Sequence, residues 1–270
     1  MRRRLDAELV RRGLATSRRH AVEAIEAGRV AVGGAPATTP ARLVAASEAI
    51  SVAGDPPRFV SRGGDKLDAA LTQFEISVAG RRALDAGAST GGFTDCLLQR
   101  GAARVVAVDV GRGQLAWSLR TDDRVVVMEQ MNARTLTPDA IGGPVSVCVA
   151  DLSFISLRVV APALAACCDA DADMVLLVKP QFEAGRADIG RGGIVRSPEV
   201  HRRVLGEVES ALRAASVAMI DVMVSPLRGA DGNIEFLAWS KAGSAAPLAP
   251  TRLDAVVAAA HRPIDPDGGA

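Results

Sequence analysis

The chain has 270 residues, enough for one large domain or two unequal ones, and 49% of them are apolar, which excludes a globally disordered protein. Its 32 basic and 31 acidic residues leave a net charge of +1, which by itself argues neither for nor against a polyanionic partner. The distribution says more: residues 1–58 hold 10 basic and 6 acidic side chains, so a basic first part precedes an acidic remainder.

The start, "MRRRLDAELV", is basic, yet no apolar signal-peptide core follows it. No apolar run approaches the ~18 residues of a membrane span. The expected location is therefore cytoplasmic, with no membrane partner. The four cysteines, Cys96, Cys148, Cys167 and Cys168, lack Cys-x-x-Cys spacing. They suggest neither a metal site nor a disulfide framework, and they fit a reducing compartment.

In chain order, Leu5, Leu9 and Val10 mark one face of a first helix that Gly13 breaks. Ser17 is the expected cap of a second helix, with Val22 and Ile25 as its apolar stripe and Gly28 as its stop. "RVAVGGAPA" reads as a hairpin around Gly33-Gly34, and "EAISV" as a further strand. "GDPPR" is a linker by composition. The pattern then changes to strands alternating with helices. "RRALDAG", "ARVVAVDV", "RVVVME", "PVSVCVAD" and "DMVLLVK" are strands, and helices are expected near Phe93–Arg100 and from Ser197-Pro198 to about Ala215. "VAMIDVMVS" and "NIEFLAWS" read as an antiparallel pair. This alternation predicts a doubly wound α/β sheet of Rossmann type behind a small N-terminal α/β module. The expected domains are 1–56, a linker at 57–63, the sheet domain at 64–242, and a tail at 243–270 in which "TRLDAVVAAAHR" is a short helix without evident chemistry.

"LDAGASTGGF" follows a strand and opens a helix. Gly87, Gly91 and Gly92 allow close backbone approach to a ligand, and the helix start offers free N–H groups. Asp109 ends the next strand, where an acid can bind both hydroxyls of a ribose. The spacing is not the dinucleotide fingerprint Gly-x-Gly-x-x-Gly. Asp85 beside the loop suits the cationic amino group of S-adenosylmethionine better than NAD. Asp151 and Lys179 close neighbouring strands at the carboxyl edge, where ligands of open α/β sheets sit. Glu235 interrupts an apolar strand and needs a partner. Lys66, in "SRGGDKL", lies near the start of the helix leading into the sheet.

Together "SRGGDKL", "DAGASTGGFTDCLL", "VADLSFISL", "LVKPQFE" and "GNIEFL" resemble the TlyA family of ribosomal RNA 2′-O-methyltransferases, some of which carry a haemolysin label. The resemblance implies an S4-like RNA-binding domain, a linker and an FtsJ-like methyltransferase domain that uses S-adenosylmethionine. It places the family's Lys-Asp-Lys-Glu catalytic set on Lys66, Asp151, Lys179 and Glu235. The extended termini look like those of the longer members, which methylate cytidines in the rRNA of both 30S and 50S subunits. Asp85, Gly87, Ser89, Gly91, Asp109, Asn132 and Phe154 are the expected cofactor contacts. Phe154 and Trp117 could flank the adenine or the target base, but they read first as core aromatics. Arg3, Arg4, Arg11, Arg18 and Arg19, around the first two helices, and Arg62 and Arg134, nearer the catalytic side, are expected to meet RNA phosphates. The loop "EAGRADIGRGGIVR" is either a flap over substrate or an irregular surface segment.

The chemistry supports the implied roles. A ribose 2′-hydroxyl is a poor nucleophile that has to lose its proton as it attacks. A lysine serves as base only if its pKa falls, which burial and a second cation favour and neighbouring acids oppose. Lys179 is therefore expected to act as base or as a steering group. The rival readings are a dinucleotide oxidoreductase, a non-catalytic RNA-binding or assembly factor, and a membrane-acting haemolysin.

Overall fold

The computed structural model describes residues 2–15, 18–54, 57–229, 231–243 and 248–262. The chain forms two compact units, Met1–Ser61 and Arg62–Ala270. The Ser17 cap, Asp55-Pro56 of the linker and the Arg19 side chain lie outside the described residues.

The first unit holds strands β1 (Arg2–Arg4), β2 (Val30–Val32), β3 (Ala35–Pro36), β4 (Leu43–Ala45) and β5 (Ile50–Val52) with helices α1 (Leu5–Arg11) and α2 (Arg18–Glu26). The hairpin at Gly33-Gly34 pairs β2 with β3, and β5 pairs β2 from the other side. β1 and β4, which the composition did not reveal, pair antiparallel. Leu5, Leu9, Ile25, Val30, Val32 and Val44 form the unit's own core.

The second unit starts with α3 (Gly63–Gln73) and continues β6 (Arg82–Ala86), α4 (Gly92–Gln99), β7 (Arg104–Asp109), α5 (Trp117–Arg120), β8 (Val125–Glu129), β9 (Val145–Ala150), α6 (Leu157–Ala166), β10 (Cys168–Val178), α7 (Pro180–Glu183), α8 (Pro198–Ala214), β11 (Val217–Val224), β12 (Phe236–Ala242) and α9 (Pro250–Ala260). Its seven strands run in the order β11-β12-β10-β9-β6-β7-β8. β12 is antiparallel to both neighbours, and the remaining pairs are parallel. The expected Rossmann-type sheet is thus present, with an antiparallel edge made by the last two strands.

Strand side chains alternate between faces. Leu84, Val106, Cys148, Met174, Leu176 and Phe236 join one core cluster with residues of α6, α8 and α9. The intervening residues Val105, Val147, Val149, Val175 and Leu177 are buried as well, so the central strands are covered on both faces. Ser197 caps α8 by accepting from the Val200 amide at 3.1 Å, and Pro198 takes the first turn, where no amide partner is needed. α9 is more than a tail: Leu253, Val256 and Val257 enter the core, and Arg252 pairs with Asp221 at 2.6 Å.

Candidate active site

β6 delivers Asp85 at its carboxyl end, and the chain then turns sharply into α4. Gly87 has φ +88, and a Cβ there would lie 2.5 Å from the Asp151 carbonyl oxygen. Gly91 caps α4 with φ +100. Ser89 takes the left-handed conformation as well, at φ 48, which costs a non-glycine residue about 1 kcal/mol or more. Its amide donates to Asp109 Oδ2 at 2.8 Å, and the Gly111 amide donates to Asp109 Oδ1 at 2.6 Å. Asp109 is therefore clamped at the end of β7, facing the glycine loop.

Asp85 is fully buried. The Thr94 hydroxyl donates to its Oδ2 at 2.6 Å, whereas among the described residues Oδ1 has no hydrogen-bond partner. Burial pushes the carboxyl up to about 7; the Thr94 bond opposes this, and the charges of Asp151 and Asp109 add to it. A buried carboxylate oxygen without a donor, beside a turn whose Gly87 leaves no room for a Cβ, is what a cationic ligand group would complete.

Asp151 follows β9, and Lys179 follows β10 on the neighbouring parallel strand. The Lys179 ammonium lies 2.5 Å from Asp151 Oδ1 and donates to Ser153 Oγ at 3.0 Å. β12 begins at Phe236 opposite Val178, so Glu235 stands just outside the strand, beside Lys179 in register. The sequence pattern had placed Glu235 inside that strand. Its partner is Lys66 of α3, at 2.5 Å, and both side chains are buried. The structure thus brings Lys66 to Glu235 and Lys179 to Asp151, as two ion pairs. Ser153 and Thr94 went unnoticed as partners, although both lie in the conspicuous motifs "VADLSF" and "STGGFTD".

The two aromatics read as core are exposed: Phe154 is 91% and Trp117 75% accessible. Residues so open lie outside the core, so the core reading is wrong for both. Phe154, at φ 63, lies 5.2 Å from the Phe182 ring, and the Lys179 ammonium lies 5.8 Å from that same ring. Asn132 is exposed and uses its side-chain oxygen to accept from the Arg134 amide at 3.0 Å. Glu183 of "LVKPQFE" serves the fold, accepting from the Leu157 amide at 2.6 Å at the start of α6.

The N-terminal arginines divide. Arg4 and Arg18 pair with Asp6 at 2.8 and 3.3 Å, and Arg11 pairs with Glu8 at 2.6 Å. Their charge is already offset by acids of the same unit. Arg3 is exposed on β1, and Arg62 and Arg134 are exposed in the second unit. The glycine-rich loop after Glu183 is ordered by two short 3₁₀ turns, Arg186–Asp188 and Arg191–Gly193. Fully buried Asn233 ties it down, accepting from the Val195 amide at 3.0 Å and donating to the Gly193 carbonyl at 3.0 Å.

Residues 59–242 match the FtsJ-like methyltransferase model, and residues 3–50 match the S4 domain model. A rRNA (cytidine-2′-O)-methyltransferase TlyA of Mycobacterium tuberculosis is 53% identical over 97% of both chains. The chain belongs to the TlyA family of FtsJ-like methyltransferases. Another relative, Hemolysin A of Brachyspira hyodysenteriae, is 41% identical over 87% of this chain and 98% of its own. A solved structure from Streptococcus thermophilus, named for hemolysin, superposes with a TM-score of 0.79 at 42% identity, covering 96% of both chains. The protein is thus an enzyme of the methyltransferase class with an S4 RNA-binding domain. Among the described residues no helix is long and apolar enough to cross a membrane.

Proposed function

We propose that the protein transfers a methyl group from S-adenosylmethionine to the 2′-hydroxyl of cytidines in the rRNA of the 30S and 50S ribosomal subunits, and that it does so in the cytoplasm. The M. tuberculosis relative carries the activity on 16S and 23S rRNA in its name. The observation that carries the reading is the Lys179–Asp151 ion pair at 2.5 Å, placed against the Gly87 turn by the Asp151 backbone. It sets a cation beside the glycine loop, where nucleophile and methyl donor would meet.

When bound, the cofactor supplies an activated methyl group. Asp85 Oδ1 would accept from its amino group, Asp109 would take the ribose hydroxyls, and Gly87, Ser89 and Gly91 would leave room for the chain between them. Asn132 and Phe154 would border the same cleft. Lys179 faces the substrate hydroxyl, and Asp151 and Ser153 fix the direction in which its ammonium points. A donor held there aligns the oxygen lone pair with the methyl group, so positioning supplies part of the rate. Lys66 and Glu235 brace the neighbouring strand end. Among the described residues Arg3, Arg62 and Arg134 have no carboxylate within ion-pair distance and are exposed, which suits backbone phosphates, and such contacts position a substrate without reading its sequence.

The test is incubation of purified protein with methyl-labelled S-adenosylmethionine and separate 30S and 50S subunits, followed by mapping of ribose methylation. Label at cytidine 2′-oxygens is the expected result. Binding of rRNA without transfer of label would leave the assembly-factor reading standing instead.

A further inference from the structure

An open cleft of about 430 Å³ in the second unit is walled by three separate segments. Val195 and Arg196 come from the segment before α8, Arg228 and Ile234 from the loop leading to β12, and His261 and Arg262 from the end of α9. Three guanidinium groups converge on one concavity, and among the described residues no acidic side chain lines it.

The arginines around it behave differently. Arg202 pairs with Asp254 at 2.5 Å, Arg203 with Asp188 at 2.5 Å and Arg252 with Asp221 at 2.6 Å. Among the described residues Arg196, Arg228 and Arg262 have no carboxylate within ion-pair distance, and all three are exposed. Arg228 donates once, to the Gly232 carbonyl at 3.2 Å, which leaves most of its N–H groups free. Glu199, the carboxylate beside His261, already accepts from the Ser197 hydroxyl at 2.6 Å.

Hydrogen bonds tie together the segments that carry these arginines. Asn233 joins the Val195 and Gly193 backbone to the Arg228 loop, and the Gly229 amide closes that loop onto the Asn233 carbonyl at 2.9 Å. The end of α9 is fixed to α8 by His201 Nδ1 and His261 Nε2, 2.8 Å apart. Unpaired guanidinium forks carried by tied backbone segments on a concave wall suit a phosphate, whose oxygens a planar fork can meet in pairs. Ile234, on the wall, immediately precedes Glu235, so the cleft adjoins the strand end that carries the reacting groups.

We propose that Arg196, Arg228 and Arg262 form a docking site for a backbone phosphate of the substrate RNA, a few nucleotides from the ribose that is methylated. The site orients the strand across the mouth of β10 and β12 and reads no base. This rests on the RNA methyltransferase reading above.

The test compares wild type, an Arg196→Gln/Arg228→Gln double variant and Arg262→Gln alone. Each is titrated with purified ribosomal subunits over a salt series, and methylation kinetics are measured in parallel. The double variant is expected to lose about tenfold in affinity. Its plot of log affinity against log salt should flatten by about 0.7, the value for one lost phosphate contact on single-stranded RNA. KM for subunits rises, kcat holds, and calorimetric affinity for S-adenosylmethionine is unchanged. Arg262→Gln shows the same pattern with a smaller slope change. Wild-type slope and KM in both variants overturn the site. A loss of cofactor affinity alongside RNA affinity also overturns it, since the arginines then serve the fold. A wild-type protein that neither binds nor methylates subunits overturns the function reading, and this site with it.

Discussion

Gly87 and Asp151 touch: a Cβ on Gly87 would lie 2.5 Å from the Asp151 carbonyl oxygen. The turn that would hold the methyl donor is thereby pressed against the residue that orients Lys179. Gly87→Ala must both displace the end of β9 and accept φ +88. The expected cost is about 1–3 kcal/mol in stability, with a loss of S-adenosylmethionine affinity by calorimetry and of turnover together. An alanine variant with wild-type cofactor affinity would remove the loop from the site.

Asp85 gives the protein a pH dependence. Its carboxyl is held up at about 7, chiefly by burial, so the folded protein keeps a proton that the unfolded chain releases near pH 4. Stability from this group is complete below about pH 4 and falls as pH rises towards 7, by on the order of 4 kcal/mol in total. Urea midpoints measured from pH 5 to 8 should decline, and Asp85→Asn should flatten the decline. Cofactor affinity should move the opposite way, rising through pH 7 as the carboxylate forms to meet a cation. An Asp85→Asn variant that keeps the rise would place the titrating group elsewhere.

The two ion pairs should respond differently to mutation. Lys179→Ala is expected to cut kcat by roughly 10²–10⁴-fold and leave cofactor and subunit binding intact. The Lys179→Arg variant separates two roles, because a guanidinium stays charged and cannot take up a proton. Failure of Arg to restore activity supports proton acceptance by Lys179. Rescue identifies Lys179 as a fixed charge. Glu235→Gln, by contrast, strands Lys66 as a buried cation. It should destabilise by about 3–5 kcal/mol as well as lower activity, and thermal melting distinguishes the two cases.

In the first unit, Arg3 and Arg12 should separate binding from folding. Arg3 is exposed on β1, so Arg3→Gln should leave the melting temperature unchanged and reduce the salt slope of RNA binding by about 0.7. Arg12 pairs with Glu8 at 2.8 Å and donates to the Ala46 and Glu48 carbonyls at 2.9 and 2.8 Å. Arg12→Gln should therefore lower the melting temperature first. Equal effects of both variants on stability would contradict the division.

The sequence by itself determined the parts governed by local rules. Runs such as "MVLLV" had to be strands buried on both faces, and the glycine spacing of "DAGASTGG" had to be a tight strand–helix turn. Ser197-Pro198 had to start a helix. Each follows from periodicity or from a residue's own backbone preference, which short stretches carry without help. β1 and β4, three residues each, carry too little pattern to be seen without their pairing. Only the tertiary structure decided which lysine met which acid: Lys66 and Glu235 are 169 residues apart, and the antiparallel turn of β12 back along β10 brings them together. It also left Phe154 and Trp117 outside the core and offset Arg4, Arg11 and Arg18 with Asp6 and Glu8. Burial and pairing are properties of neighbours in space, and a chain read one residue at a time does not contain them.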